Sequence, residues 1–307
     1  MFLNDSQTTI YNSGESLCCG IFSLFSFKRN NNSPFLHVCN TCILTLPMAT
    51  KKIWKRIIIN VIEVLAVLLL LAPAYRLVCS IGLKKVYSDN GISIYADDVR
   101  YKEEAKQMAE TLKVQLLEVD KDYSPKNSIY FCKTMTGFRI KAITMGKPLA
   151  LTRANLKATV FRPCDWAKNS IEPRKPQLLP RSLSSVLLHE ALHHYEWKKL
   201  GMVRFFTKTH SENWKIEGFC EYHAASSSFP IEKGLRIFCG EDNDDFVTGN
   251  EIKPEYFYFV SRLRTDYLLN FKKVSESDYW STRYDENQLD DEIRQALMEK
   301  QYTFMVQ

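Results

Sequence analysis

Residues 185–195 read Ser-Val-Leu-Leu-His-Glu-Ala-Leu-His-His-Tyr, and few local structures suit that pattern. No Pro or Gly interrupts the stretch from Ser184 to Leu200, and Gly201 follows as a helix stop. Pro180 ends an irregular loop just upstream, and Ser182 or Ser184 is placed to cap a helix. On that helix His189 and His193 lie four residues apart, about 40° around the axis and on one face. Two imidazoles so placed can bind one Zn²⁺ at about 2.0–2.1 Å each. Glu190 stands beside the first imidazole, where a carboxylate can act on water that a metal has made more acidic. Val186, Leu187, Leu188, Ala191 and Leu192 are all uncharged. They suit a helix packed into the protein, as a tuned metal site requires.

A third ligand has to come from another element. Trp214-Lys-Ile-Glu217-Gly218-Phe-Cys220-Glu221-Tyr222 is also helical in pattern, within a helix expected over 213–225. Taken alone, Glu217 reads as a solvated helix carboxylate. After His189-Glu190-x-x-His193 it can complete a two-His, one-Glu site with the fourth position left to water. Gly218 would let the two helices approach closely. Glu221 lies one turn beyond Glu217 and can accept a hydrogen bond from the far nitrogen of a ligand His, fixing its tautomer. The other histidines fit plainer roles. His194 points away from the metal face, His210 falls in a loop, and His223 lies off the ligand face.

These two motifs together resemble the gluzincin branch of zinc metallopeptidases. The likeness is nearest to a bacterial group, peptidase MA-like, whose second motif runs roughly W-x-x-E-G-x-A-x-Y. It extends to the thermolysin-like enzymes and the zinc aminopeptidases. The resemblance implies His189, His193 and Glu217 as zinc ligands, Glu190 as general base and Glu221 as the acid behind a ligand His. It also implies a fold: a small β-sheet lobe with helices, a helical lobe after it, and the active-site cleft between. The motifs occupy residues 184–225, the likeness spans about 90–270, and nothing before residue 80 shares it. Cys220 departs from the pattern, standing where many members have Ala. In related enzymes a Tyr or His of the helical lobe stabilises the oxyanion. Tyr256, which opens a helix expected over 254–271, is the candidate here, with Tyr258 and His223 as fallbacks.

Before residue 81 the chain is different. Residues 1–47 show no sustained period. They read as an extension, or as sequence upstream of a start at Met48. Lys51, Lys52, Lys55 and Arg56 then form a basic leader before a mostly apolar run at 57–75. That run is near the length that crosses a bilayer. A basic flank stays cytoplasmic, so the chain beyond residue 80 is expected on the non-cytoplasmic side, periplasmic or extracellular. Two outcomes remain open: a retained signal-anchor with a single membrane pass, or a signal peptide cleaved near Ala74, leaving a secreted protein. A buried helix of a soluble core is the plain alternative.

The remainder has the length and composition of an ordinary folded domain. The net charge of +6 is spread along the chain, which gives no case for nucleic acid. The single CxxC, Cys39 to Cys42, lacks a second pair at zinc-ribbon spacing. Strand and helix signals alternate from 81 to 180, with strands expected at 92–95, 128–132, 148–152 and 158–161 and a helix over 99–119. From Ser182 onward the signals are helical, with a last helix over 287–299. The order predicts an α+β fold, zincin-like, with an α/β lobe at 81–200 that carries the zinc helix and a helical lobe at 201–307. The segment 48–80 is the basic flank and span. The expected substrate is a peptide or protein, lying along an edge strand at 149–152 or 158–161 beside the zinc helix. Two other readings fit the same residues. One is a catalytically inactive zincin-like protein that binds a partner at the cell surface. The other is a helical membrane protein with a chance His189-Glu190-x-x-His193.

Overall fold

Asn90-Gly91 reverses the chain between β1 (Lys84–Asp89) and β2 (Ile92–Ala96), which pair antiparallel. Both turn residues have positive φ, 43° and 87°, the backbone a two-residue hairpin prefers. A side chain at Gly91 would also meet the Pro125 carbonyl at 2.4 Å. Helix α2 (Lys102–Val119) then crosses over to β3 (Asn127–Phe131), parallel to β2. After α3 (Met135–Ala142) come β4 (Ala150–Arg153) and β5 (Ala158–Phe161). They complete a mixed five-stranded sheet in the order β1-β2-β3-β5-β4. The computed structural model describes residues 59–60, 70, 72–146, 148–173, 178–225, 227–242 and 253–304.

The sheet is covered on both faces. Ile92, Ile94, Ile129 and Phe161 join Ala105, Met108, Leu112 and Leu116 of α2 in the main core. Tyr130, Ala158 and Val160 instead meet Tyr75 and Cys79 of helix α1 (72–80) and Phe138 and Ala142 of α3. Helix α1 was expected to belong to the flank that ends at residue 80. It is a layer of the folded unit instead, because Tyr75 and Cys79 are buried against the sheet and the Tyr75 hydroxyl donates to the Lys141 carbonyl at 2.8 Å. Residues 61–307 form one compact unit. Among the described residues no helix is long and apolar enough to cross a membrane. The extension at 1–47, the Cys39–Cys42 pair and most of the apolar run at 57–75 lie outside the described residues.

A short ribbon, β6 (Ser170–Ile171) against β7 (Arg181–Ser182), delivers the chain to α4 (Leu183–Ser211). Ser182 is the cap, its hydroxyl accepting from the Ser185 amide. Gly201 ends the straight part of α4. Its φ of 73° and ψ of 164° break the helical backbone, a conformation that costs glycine least, and the helix resumes in a new direction. The rest is helical: α5 (Asn213–Ala224), α6 (Ile231–Phe238), α7 (Lys253–Asp266) with a wider π turn at Tyr267–Phe271, α8 (Glu276–Ser281) and α9 (Glu286–Met298). The fold is α+β, with the five-stranded sheet before α4 and helices after it.

Candidate metal centre

His189, Glu190 and His193 project from the straight part of α4, and Glu217 and Glu221 from α5. The apolar residues between them fix both helices. Val186, Leu187, Leu188 and Leu192 are buried from α4, and Trp214, Ile216 and Phe219 from α5. A Glu217 oxygen, Oε2, lies 3.4 Å from His189 Nε2 and 3.7 Å from His193 Nε2. A tetrahedral ion with bonds of about 2.0–2.2 Å holds neighbouring ligand atoms about 3.3–3.6 Å apart. The first distance falls inside that range and the second just beyond it. The His193 and Glu217 side chains keep 14 % and 18 % of their exposure, and His189 keeps 8 %.

Each imidazole is also held from behind. His189 Nδ1 lies 2.9 Å from Glu221 Oε1, close but not aligned as a hydrogen bond. The same oxygen accepts from Arg181 Nη1 at 2.7 Å. His193 Nδ1 lies 3.0 Å from Glu196 Oε2. These contacts leave both Nε2 atoms facing Glu217, the arrangement that carboxylate–histidine–metal triads use.

The electrostatics carry the same mark. Burial would raise Glu221, yet the Arg181 and His189 charges outweigh it and hold its carboxyl down to about 2. Burial would likewise raise Glu217, and the two imidazoles keep it below the usual carboxylate range. Glu196 is buried beyond what His193 offsets, and is pushed up to about 7. Burial would lower His189, but Glu221 and Glu217 raise it to about 10, and His193 is raised too, against its own burial, first by Glu217. Without a metal, therefore, the surrounding carboxylates favour the protonated form of both imidazoles. A divalent ion would supply that positive charge and displace the ring protons.

Glu190 is buried, and among the described residues its carboxylate has neither a hydrogen bond nor an ion pair. Its main-chain carbonyl accepts from the Thr152 hydroxyl at 3.2 Å, which ties α4 to β4. His194, one residue past His193, points into the sheet. Its Nε2 lies 3.2 Å from the Thr159 hydroxyl, which is in turn 2.9 Å from both Asn127 Nδ2 and Thr152 Oγ1. Burial holds the His194 ring neutral, down to about 3. His210 is exposed, near the end of α4 rather than in a loop, with Nδ1 donating to the Phe206 carbonyl. His223 packs on Phe219 at 4.5 Å between ring centres.

Cys220 offers a competing grouping, since His189, His193 and Cys220 each have a ligand atom within 4.8 Å of the others. Its sulfur, however, meets His193 at Nδ1, 3.4 Å away. Glu196 holds that same nitrogen, whereas Glu217 faces Nε2. An ion bound through Cys220 would have to displace Glu196. Burial, with the nearby carboxylates, also pushes the thiol well above its ordinary range. The Glu217 grouping leaves the contacts of both Nδ1 atoms in place.

Tyr256, the expected oxyanion donor, turns away from the site. Its ring packs on Phe229 at 5.3 Å and Phe259 at 6.0 Å. Tyr258 is the aromatic that faces the imidazoles, its ring centre 6.3 Å from that of His189 and nearly perpendicular to it. Two residues on a helix are about 200° apart, so Tyr256 and Tyr258 occupy opposite faces of α7. Gly218 also serves a different contact from the one expected. A Cβ there would lie 2.3 Å from Thr265 Oγ1 and 2.4 Å from the Ser261 carbonyl, so the glycine admits α7, not α4, against α5.

Glu196 and Arg181 were not singled out in the sequence. Glu196 stands three residues after His193, a spacing that could have flagged it. Arg181 has no comparable signal, because it reaches Glu221 from a strand. Among family models, curated proteins and solved structures, none matches this chain.

Proposed function

We propose that this protein is a zinc-dependent peptide hydrolase of the gluzincin type, membrane-anchored or exported. The observation that carries the proposal is the approach of one Glu217 oxygen to both Nε2 atoms, at 3.4 Å and 3.7 Å. His189, His193 and Glu217 would hold the zinc. When bound, zinc supplies a Lewis acid that makes water more acidic and polarises a carbonyl. Glu190 takes the proton from the attacking water and passes it to the leaving amine. The Tyr258 hydroxyl is kept protonated, first by the Glu217 charge and then by burial, and so remains a donor for the developing oxyanion. Glu221 and Glu196 orient the two rings.

Of the two strands considered for substrate, β5 is interior, paired with both β3 and β4. β4 is an edge strand of the sheet and runs beside α4 at Glu190. An extended peptide paired with β4 would lie next to the general base. The basic leader and apolar run at 48–75 support a place on the non-cytoplasmic side of a membrane.

The test is zinc content together with Glu190→Gln. The wild-type chain is expected to hold about one zinc and to cleave unstructured protein. The variant keeps its zinc while hydrolysis falls by roughly 10²–10⁴-fold. A chain without zinc, or a variant with undiminished turnover, overturns the proposal.

A further inference from the structure

The C-terminal half of α1 and the end of α3 present apolar side chains to solvent side by side. Leu77, Val78 and Ile81 are exposed on the first, and Ile140, Ile143 and Met145 on the second, with Ile143 at 68 % and Met145 at 92 %. The two segments are pinned together. Lys141 Nζ donates to the carbonyls of Val78 and Ile81 at 3.3 and 2.6 Å, and the Tyr75 hydroxyl donates to the Lys141 carbonyl. Neighbouring exposed aliphatics of this size mark an interaction surface. Ile143 strengthens the point. It closes α3 in the left-handed conformation, φ 52° and ψ 56°, where a β-branched residue is strained and glycine or asparagine is usual. The chain spends that strain on an exposed isoleucine.

Within the two segments the charged residues are of one sign, although Lys133 reaches Asp97 at 3.8 Å outside them. Residues 76–85 and 133–146 contain Arg76, Lys84, Lys85, Lys133, Arg139 and Lys141, and no Asp or Glu. The patch also begins directly after the apolar run that ends at Tyr75. Apolar side chains rimmed by Lys and Arg suit the boundary of a bilayer that contains anionic lipid, where the aliphatics enter the acyl region and the cations meet headgroups. We infer that the α1–α3 patch is a membrane-contacting face that lays the sheet side of this domain onto an anionic bilayer. The inference takes the run at 57–75 as the membrane segment proposed above, and its test separates the two.

The full chain is reconstituted into phosphatidylcholine–phosphatidylglycerol vesicles, with the photoreactive p-benzoylphenylalanine in place of Ile143. A second sample carries it at Ile140, and a control carries it at the exposed Asp291 of α9. After irradiation, mass spectrometry reads what each position has captured, and alkaline carbonate washing reports whether the chain is integrally inserted. Expected is a lipid adduct at 143 and 140, none at 291, and a smaller yield when phosphatidylcholine replaces phosphatidylglycerol. Lipid capture by a chain that the wash removes supports the face while overturning the membrane segment. A chain that resists the wash but captures no lipid at 143 or 140 overturns the face and leaves the membrane segment standing. Crosslinks from these positions to residues 57–71 or to a second copy overturn it too, because protein then covers the patch.

Discussion

Arg181 and His189 share one oxygen of Glu221, Nη1 at 2.7 Å and Nδ1 at 2.9 Å. The carboxylate is almost fully buried, so its charge depends on both neighbours. Removing the guanidinium leaves the Glu221 charge uncompensated on that side and frees it to protonate, and the hold on the His189 ring then loosens. Arg181→Met is expected to weaken zinc affinity by about 10–100-fold, the usual effect of losing an outer partner of a metal ligand. Arg181→Lys should recover part of the loss. Competition with a chromophoric chelator measures it, and unchanged affinity in Arg181→Met would remove the residue from the site.

The two tyrosines of α7 make a paired test. Tyr258→Phe deletes the hydroxyl of the ring that faces His189 without changing the ring. If Tyr258 stabilises the oxyanion, kcat falls by about 10²–10³-fold while KM moves little. Tyr256→Phe removes a hydroxyl from a ring that packs on Phe229 and Phe259 rather than on the imidazoles, and is expected to leave kcat within about twofold of wild type. The reverse ranking would return the role to Tyr256.

That pair also shows where sequence reasoning ran out. Tyr256 to Val260 is aromatic or apolar at every position, so the helical period offers no preferred face and cannot say which tyrosine looks at the imidazoles. The relation of His189, His193, Glu217 and Glu221 was legible because each pair lies one turn apart on its own helix. Arg181 and the Asn127–Thr159–His194 chain of polar contacts were not legible. They depend on strand register and on which face of the sheet meets α4, neither of which leaves a local pattern. β1 was passed over for a similar reason. Lys84–Asp89 is an edge strand with one buried side chain, so its apolar alternation is nearly absent.

His223 supplies a pH signature away from the His189–His193 pair. Burial among Phe219 and Tyr222 lowers its ring to about 4, against about 6.5 in an unfolded chain. A histidine depressed in this way favours the folded state above pH 6.5, and the advantage drains as pH falls toward 4 because the unfolded chain takes up the proton first. Between pH 7 and pH 5 that is worth about 1–2 kcal/mol after allowing for partial exposure. His223→Phe should flatten the pH dependence of urea unfolding by this amount. Parallel wild-type and variant curves over that range would show that the ring is not held neutral.

Gly218 couples α5, which carries Glu217, to the helix that carries Tyr258. A methyl group there would press on the Ser261 carbonyl at 2.4 Å, and main chain cannot swing aside as a flexible side chain can. α5 and α7 would have to separate, at a cost of about 1–3 kcal/mol in stability. The separation also moves Tyr258 relative to Glu217. Hydrolysis is therefore expected to fall more than the loss of folded protein explains, by roughly 10-fold or more in kcat, since small misplacements in a catalytic constellation are costly. Zinc affinity should change little, because His189, His193 and Glu217 lie on α4 and α5 and keep their mutual contact. Thermal unfolding, zinc titration and initial rates on Gly218→Ala distinguish these effects. A variant that loses zinc in proportion to activity would place the damage in the ligand set rather than in the α5–α7 contact.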